Sequence, residues 1–533
     1  MLDNSYIWIV ILGGISSFFA AMGIGANDVA NAFATSVGSR ALTIKQAVII
    51  AGIFECLGAI LMGSHVADTI RKGIADYKCF EESPELLMYG CMCVMIAVGL
   101  WLFLASYYEM PVSTTHSCVG GMIGMTMAIK GGSCVKWYAT KETFPYVGGV
   151  SGIILSWFIS PIMSAIIAGL IFYVTRLFVL RHKNSFNRTF LSMPFYVGLT
   201  LMLNTFFIIY KGAKGLGLNK IDINVSLGIA FGIGIFSGLI VIPFIPYMKR
   251  KVEERMKNKN IQNNEDLEIE IEELSKNKNE LREKENKKEN KIITSLSPRV
   301  NSKNKLKSGL RYLHKSLNYD LDSDIVSDER VSEIHNDAEK FDENTEAGFK
   351  YLQIFTAVCD SFSHGANDVA NAIGPFAAIF LIWSNGEIQK KAEMEGNAYW
   401  ILALGGIGIV FGLLTYGYKI IRAIGIKICK ITPSRGFAIE LGTATVIIIG
   451  SRLGIPLSTT HCQIGGTMGV ASLENFRKCS GLNCSVVGKS ILGWFLTLIF
   501  VGGTTALFVS MGIYAPSVIQ PQCVAPIVNA TAP

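Results

Sequence analysis

The 533-residue chain is half hydrophobic, with 17% charged residues and a formal net charge of +7. A soluble protein of this length would spread its charge over several domains. This chain instead concentrates its charge near the middle and carries apolar runs of about 20 residues or more on both sides. The middle mixes basic with acidic residues, which argues against nucleic-acid binding, and the alternating strands of a β-barrel are not evident. The composition therefore predicts an all-α polytopic membrane protein.

Twelve apolar segments are predicted, in groups of five, two and five. Several are interrupted, for example at Gly25 and Pro161, so we expect broken or re-entrant helices among them. The segments lie at roughly 6–36, 42–63, 86–106, 111–129, 147–180, 191–211, 222–247, 350–383, 398–424, 436–451, 456–473 and 488–514.

Lys and Arg in the short loops predict the orientation in the membrane. Placing Arg40, Arg181 and Lys427 inside puts both termini outside, so the first five-segment unit starts outside and the second starts inside. The two repeats are therefore predicted to be inverted, as in many secondary transporters. The predicted parts are a first transmembrane repeat at 1–180, two linking helices at 181–248, a cytoplasmic loop at 249–347, a second repeat at 348–516 and an extracellular tail at 517–533.

The loop at 249–347 is rich in Lys, Glu, Asn and Ser and has few aromatic residues. Such a composition cannot bury enough apolar surface to offset chain entropy, so we expect this segment to be disordered. A passive linker is favoured over a regulatory or trafficking role. Cys79 and Cys134 fall in loops predicted to lie outside, where the unpaired state is favoured over a disulfide.

One eight-residue sequence, Gly-Ala-Asn-Asp-Val-Ala-Asn-Ala, occurs twice, at 25–32 and again at 365–372. Polar residues repeated so faithfully within apolar segments are costly in lipid and indicate a functional site. A buried carboxylate needs a partner, and a sodium ion held by carboxylate and amide oxygens would supply one, as would a proton. The alternative is that the Asn side chains join helices and the Asp caps a half-helix. The residues concerned are Asn27, Asp28, Asn31, Asn367, Asp368 and Asn371.

A second sequence, Pro-x-Ser-Thr-Thr-His, also occurs twice, at 111–116 and at 456–461. It predicts a helix start, because proline is tolerated in the first turn and hydroxyls cap free amides. Two such helix N-termini facing each other would surround a tetrahedral oxyanion with donors. Ordinary capping of a re-entrant helix is the alternative. The hydroxyl donors are Ser113, Thr114, Thr115, Ser458, Thr459 and Thr460.

Four more polar residues in the apolar segments are candidates. Glu55 and Glu440 are lone intramembrane carboxylates at positions that are not equivalent in the two repeats, and such groups usually belong to an ion or proton path. The alternative is a protonated acid that is hydrogen-bonded between helices. His116 and His461 could carry a proton or take part in gating, although a structural role is equally consistent with the sequence.

The two duplicated sequences and the long hydrophilic middle resemble the inorganic phosphate transporter (PiT) family, over both membrane halves of the chain. The resemblance implies a twelve-segment symporter that moves phosphate with sodium or protons. It also implies that Asp28 and Asp368, with the neighbouring Asn and Ser-Thr-Thr residues, form a shared site. Glu55 and Glu440 are similar to the transport-critical glutamates of that family.

We therefore expect a carrier rather than an enzyme, which imports inorganic phosphate with sodium ions by alternating access. Asp28, Asp368, Asn27, Asn367, Glu55 and Glu440 are the expected sodium ligands. Proton coupling, sulfate as the substrate, and a phosphate-sensing receptor are the alternatives. No cofactor is expected, and sodium is a co-transported substrate. The expected partners are phosphate, sodium and membrane lipid, with a homodimer as an option and the plasma membrane as the location.

Overall fold

The computed structural model describes residues 4–140, 146–210, 221–259, 261, 328–388, 399–453, 455, 457–475 and 481–515. This part of the chain is almost entirely helical, which confirms the predicted all-α class. The helices are α1 (Ile7–Ile24), α2 (Ala30–Gly38), α3 (Ile44–Gly73), α4 (Pro84–Tyr107), α5 (Thr114–Lys130), α6 (Gly149–Thr175), α7 (Ser185–Ile209), α8 (Ile223–Val241), α9 (Glu329–Asp337), α10 (Glu343–Asn385), α11 (Tyr399–Gly425), α12 (Pro433–Arg452), α13 (Thr459–Asn475) and α14 (Cys484–Tyr514).

Nine of the helices in the described ranges are long and apolar enough to cross a membrane. The predicted apolar segments that remain coincide with α5, α12 and α13. Because α5 and α13 have 17 residues each, they reach only about 26 Å at about 1.5 Å per residue, less than the hydrocarbon core of about 30 Å. These two helices have the length expected of re-entrant segments, and a count of twelve full spans stays a prediction.

The helices pack across the two halves of the chain in matched pairs. The long helix α10 of the second half packs along α3 of the first, and α11 packs against α1 and α2. In the same way α5 packs against α14, and α13 packs against α6. Each half therefore completes the other, and the four duplicated sequences lie in or next to helices that make these contacts. The inverted orientation of the repeats stays a prediction.

Glycines at the start of each eight-residue sequence permit the closest of these crossings. A Cβ atom at Gly25 would collide with the carbonyl oxygen of Ile409, and one at Gly365 would collide with that of Glu55. Small residues let helix backbones approach in this way in membranes. The two crossings are equivalent, so the counterpart of Glu55 in the second half is Ile409, and the two intramembrane glutamates are not a repeated pair.

The predicted helix breaks take a different form in the structure. At Gly25 the chain does not break but makes a π-helical turn, Gly25–Val29, between α1 and α2, a feature frequent at functional sites. The second copy lies within the unbroken 43-residue helix α10. The break expected at Pro161 is wrong, because α6 continues through it from Gly149 to Thr175. Neighbouring helices tolerate such a proline in a membrane because they satisfy the freed backbone groups.

The predicted disordered loop is ordered at both ends. Helix α8 continues through a short 3-10 turn, Ile242–Phe244, as one candidate span of Ile223–Lys259, so the second linking helix does not end at 248. Helix α9 and the start of α10 occupy the other end, where Val331 and Ile334 are buried. The boundaries 249 and 347 are therefore wrong, because apolar side chains at both ends find a core. Residues 262–327 and the predicted tail at 517–533 lie outside the described residues.

The far end of α3 carries a disulfide between Cys79 and Cys134, so the expectation that they stay unpaired is wrong. They belong to short 3-10 turns, Tyr77–Phe80 and Gly132–Cys134, beside a two-stranded hairpin of β1 (Ala139–Thr140) and β2 (Val147–Gly148). Disulfides persist in oxidising compartments. Arg40 lies just before the opposite end of α3, which agrees with the predicted cytoplasmic side.

Candidate functional site

The N-termini of α5 and α13 meet at the centre of the molecule. Each is capped as predicted, since the amide of His116 donates to Ser113 Oγ at 3.3 Å and that of His461 donates to Ser458 Oγ at 3.2 Å. The two termini are joined reciprocally. Thr115 donates to the carbonyl oxygen preceding Ser458 at 2.9 Å, and the Thr460 hydroxyl lies 3.1 Å from the one preceding Ser113. The predicted opposition of the two helix ends is present.

Asp28 lies between these two helix ends and is only 2% exposed. Its Oδ2 accepts from the Thr114 hydroxyl at 2.6 Å and from the Thr114 amide at 3.3 Å. Its Oδ1 accepts from the Thr460 hydroxyl of the other half at 2.7 Å. One carboxylate therefore binds donors from both copies of the Ser-Thr-Thr sequence.

Asp368 is fully buried and joins the same cluster. Its Oδ2 accepts from Thr459 at 2.5 Å, and its Oδ1 accepts from the amide of Asn367 at 2.8 Å. Asn371 bridges the two halves, because its Nδ2 donates to Asp368 Oδ1 at 3.4 Å and to Thr114 Oγ1 at 3.1 Å. Since Thr114 also donates to Asp28, the two aspartates belong to one hydrogen-bonded network.

The asparagines of the first copy do not all enter this network. Asn27 donates to Ser106 at 3.2 Å and to the carbonyl oxygen of Met110 at 3.0 Å, and it accepts from the amide of Val112 at 3.0 Å. Its polar atoms thus fix the chain that leads into α5, which is a structural role. The side chain of Asn31 lies outside the described residues.

Asn367 divides its hydrogen bonds between the aspartate and the opposite chain. Besides Asp368, its amide donates to the carbonyl oxygen of Leu457 at 3.3 Å, and its oxygen accepts from Ser451 at 3.3 Å. Asn367 and Asn27 therefore make the same kind of contact to the segment entering a re-entrant helix. Only Asn367 also contacts a carboxylate.

Glu55 reaches the central network through a histidine that was not predicted from the sequence. His364 Nδ1 lies 3.0 Å from Glu55 Oε2, and its Nε2 lies 2.8 Å from Asp368 Oδ2. The second contact is at ion-pair distance, although its angle is poor for a hydrogen bond. Ser361 also donates to Glu55, at 3.3 Å. All three ionisable groups are buried.

Glu440 lies apart from the two aspartates in a polar pocket of its own. Its Oε1 accepts from Thr35 at 2.8 Å, from Ser36 at 2.5 Å and from Gln353 at 3.2 Å, and its Oε2 accepts from Thr356 at 2.6 Å. Four donors from the two halves therefore satisfy this buried carboxylate. No direct bond to either central aspartate is present among the described contacts.

A small cavity of about 10 Å³ lies beside Asp28 and His364, enough for about one water molecule. Asp360, which is 2% exposed, and Gln463 line it. Within the described residues, Oδ1 of Asp360, both polar atoms of the Gln463 amide and Oδ1 of Asn371 have no hydrogen-bond partner. Buried polar atoms are rarely left unsatisfied in proteins, so these oxygens are candidates for cation ligands.

Asp360, His364 and Gln463 were not predicted from the sequence, because the prediction favoured residues that occur in both halves. The positions of the first half that correspond to Asp360 and His364 are Ala20 and Ile24. A signal was nevertheless present, since Asp360 and His364 are polar residues in an apolar helix, and Asp360, His364 and Asp368 follow one another at intervals of one turn.

Comparison with known proteins identifies the family. A model of the phosphate transporter family matches residues 24–505. The chain belongs to the phosphate transporter family. It is 31% identical to the phosphate-repressible phosphate permease of Neurospora crassa, over 97% of this chain and 99% of that protein. It is 33% identical to a putative phosphate permease of Pyrococcus horikoshii, over 92% of this chain and 95% of that protein.

Two further relatives are described as sodium-dependent. The human sodium-dependent phosphate transporter 1 is 28% identical over 96% of each chain. A solved structure described as the sodium-dependent phosphate transporter has a TM-score of 0.69 and 30% identity, and the match covers 95% of this chain and 100% of that one. The resemblance found in the sequence is therefore confirmed. The protein is an integral multi-pass membrane protein of a family of phosphate transporters rather than enzymes.

The two predicted histidines of the transporter lie in an aromatic stack. The ring of His116 is 3.6 Å from that of Trp157 and 4.6 Å from that of His461, which in turn is 3.7 Å from that of Trp494. His461 Nδ1 lies 3.0 Å from the carbonyl oxygen of Trp157. The structure thus places both histidines one turn inside the helix ends, packed between α6 and α14.

In the described part of the transporter, no three His, Cys, Asp or Glu side chains converge as the ligands of a transition metal would. The oxygens that do converge belong to carboxylates, amides and hydroxyls. Ligands of this kind are the ones that hard cations prefer.

Proposed function

We propose that this protein imports inorganic phosphate together with sodium ions by alternating access. The observation that carries the proposal is the network in which Thr114, Thr460 and Asn371 connect Asp28 with Asp368 across the two halves. Such a network joins anion donors and cation ligands at one point. The family and the sodium-dependent names of its relatives support the same substrates.

Phosphate is proposed to bind at the opposed N-termini of α5 and α13. Free amides and the helix dipoles favour an anion there. The hydroxyls that bond to Asp28 and Asp368 would turn to phosphate oxygens when cations occupy the carboxylates. The proposed phosphate ligands are Ser113, Thr114, Thr115, Ser458, Thr459 and Thr460, with Asn27, Asn31, Asn367 and Asn371. Of these, Asn27 is supported least, because its described hydrogen bonds hold the chain that leads into α5.

Sodium is proposed to bind at Asp28 and Asp368, with amide oxygens such as those of Asn27 and Asn367 nearby. The unpartnered oxygens of Asp360, Gln463 and Asn371 extend this ligand set beyond the residues predicted from the sequence. Glu55 would act on Asp368 through His364. Glu440, whose carboxylate is held by four donors, would position α2 against α10 and α12 rather than bind the central ion.

Coupling follows from charge. Two sodium ions with one monovalent phosphate carry one net positive charge inward, which gains about 2.3 kcal/mol per 100 mV of membrane potential. The cations offset the charge of the anion, so a partly filled carrier would leave buried charges unpaired. A plasma-membrane location fits inward phosphate uptake.

The test is phosphate flux into proteoliposomes containing the purified protein, with sodium and proton gradients imposed separately. Saturable uptake that follows the sodium gradient and rises with an inside-negative potential is expected. Uptake driven by a proton gradient alone would support proton coupling, in which His364 is the group placed to take part. Uptake that ignores sodium, protons and potential would contradict the proposal.

Two further controls address sulfate as the substrate and a phosphate-sensing receptor. Unlabelled sulfate in excess should leave labelled phosphate uptake unchanged. Competition by sulfate would instead indicate a general oxyanion carrier. A protein lacking residues 262–327 should still transport phosphate. Loss of transport in a well-folded deletion would favour a receptor that works through this segment.

A further inference from the structure

A large basic cavity lies at the end of the molecule that carries Arg40, away from the phosphate site. It has a volume of about 1400 Å³ and opens between the loop after α2, the extension of α8, the start of α10 and the residues before α12. We call it the basic vestibule. Its basic side chains are Arg40, Lys45, Lys251, Arg255, Lys259, Lys340, Lys350 and Lys430.

The acidic residues of the vestibule do not balance this charge. Among the described residues that line it, eight basic side chains face three acidic ones, Glu339, Glu343 and Glu346. Glu339 forms ion pairs with Arg176 and Arg181, which lie outside the vestibule. Glu346 accepts from the Ser434 amide at 2.9 Å and from its hydroxyl at 2.7 Å, and it also interacts electrostatically with Lys350.

Glu343 pairs with Lys259 at 2.8 Å. Among the described residues that line the vestibule, basic side chains outnumber acidic ones, so this lining is electropositive, and its low-dielectric walls would focus that potential.

The basic residues in the extension of α8 lie on one face of the helix. Lys251, Arg255 and Lys259 follow each other at intervals of four residues, so they lie one above the other along the helix. The helix belongs to the candidate span Ile223–Lys259, which places these charges where a membrane-crossing helix leaves the bilayer. Beneath them Val252 is 4% exposed and holds the helix in the core. The vestibule is thus a fixed structural feature rather than a set of lysines on a loose tail.

We propose that the basic vestibule binds an anion with several adjacent phosphate groups, of the class formed by phosphoinositide headgroups and soluble inositol polyphosphates. One inorganic phosphate would fill a small part of this volume and reach few of its charges, which come from four chain segments. Basic pockets at the cytoplasmic ends of transmembrane helices suit multiply phosphorylated headgroups. Arg and Lys side chains supply the donors that phosphate oxygens accept.

The test measures binding to the full-length protein in detergent by isothermal titration calorimetry. The probes are inositol hexakisphosphate, a short-chain phosphatidylinositol 4,5-bisphosphate, and inorganic phosphate as the single-phosphate comparison. The double variant Lys251→Gln with Arg255→Gln should bind the polyphosphate probes about 30-fold more weakly, since each juxtamembrane basic residue contributes to anion binding.

The matched control removes the same charge from another face of the same helix, as Lys249→Gln with Arg250→Gln. These two residues contact Asn187 and Glu254 instead of lining the vestibule. Equal weakening by both double variants, or polyphosphate binding no tighter than that of inorganic phosphate, would overturn the proposal. This test measures binding and not phosphate uptake. A negative binding result therefore does not bear on the proposed transport, and a negative uptake result does not bear on the binding measurement.

Two arms identify the source of the anion. In nanodiscs, a bound phosphoinositide that inositol hexakisphosphate cannot displace indicates the lipid, whereas ready displacement indicates the soluble anion; either result supports the proposal. The acidic sequence at 265–273 is the competing occupant within the chain. If polyphosphate binds only after the six carboxylates of this sequence are replaced by amides, the vestibule is occupied by the chain itself and the proposal is overturned.

Discussion

Replacing Asp28 by asparagine separates the charge of this side chain from its shape. The carboxylate accepts three hydrogen bonds, from the amide and hydroxyl of Thr114 and from the hydroxyl of Thr460. An asparagine oxygen can keep the Thr114 bonds, and its NH₂ group can donate to Thr460, whose hydroxyl can donate to the carbonyl oxygen of Val112 instead. The loss of charge-assisted bonding should therefore cost no more than about 1–3 kcal/mol of stability.

The effect on a bound cation is larger. At an effective dielectric constant of about 20, two unit charges about 4 Å apart interact by about 4 kcal/mol. Asp28→Asn removes this attraction, which corresponds to about a thousandfold loss of sodium affinity. We expect sodium-dependent phosphate uptake to fall to background at sodium concentrations that saturate the unchanged protein.

The assay is initial-rate uptake of labelled phosphate into proteoliposomes as a function of sodium, with thermal melting of the same preparations in detergent. Asp222→Asn is the matched control, because it makes the same chemical change at an exposed helix cap where asparagine also caps well. A folded Asp28→Asn protein with normal sodium-dependent uptake would refute the role assigned to this carboxylate.

Three other predictions follow from the described contacts. Glu440→Gln turns one acceptor into a donor that faces hydroxyls such as that of Thr356. We expect it to cost about 1–3 kcal/mol of stability and to lower the melting temperature. An unchanged melting temperature would contradict the hydrogen bonds described for this pocket. Cys79→Ser removes the disulfide that closes a 55-residue loop with Cys134, and it should lower the free energy of unfolding by about 4 kcal/mol in the chain-entropy account. A reductant should lower the melting temperature of the unchanged protein and leave that of the variant as it is. Burial opposes ionisation of Glu339, but Arg181 and Arg176 outweigh it and lower its pKa below 4.5. Ionised Glu339 should therefore stabilise the fold above about pH 4.5, and this contribution should be lost as the pH falls through the lower folded pKa. Glu339→Gln should remove that part of the pH dependence of the melting temperature.

The reciprocal bonds between the two re-entrant helices have a consequence for alternating access. Thr115 and Thr460 each bind the backbone of the opposite helix start. Any rocking of one half against the other has to break or replace these bonds and those that Asp28 makes to both halves. In the proposed mechanism, cations and phosphate at the same point would compensate for them, so the loaded carrier would move while the partly loaded one would be held.

Much of the fold was accessible from the sequence, because membrane helices are determined locally. Every predicted apolar segment contains a helix, since a run of apolar residues in lipid must satisfy its backbone internally. The duplicated motifs likewise identified Asp28 and Asp368, because a buried carboxylate without a basic neighbour has few structural explanations. The end of α8 and the helix α9 were missed, since their amphipathic faces carry too few apolar residues to be distinguished from the charged loop around them.

The tertiary structure decided which polar residues share a site. His364 contacts Glu55 from 309 residues away, and Thr460 contacts Asp28 from 432 residues away. No local pattern contains such pairs, so residues without a repeat counterpart, such as Asp360, could not be connected to the motifs from sequence. The same long-range packing gives Asn27 its structural contacts. Local hydrophobicity and repetition therefore determined the helices and the motifs, whereas the crossing of the two halves determined which side chains meet.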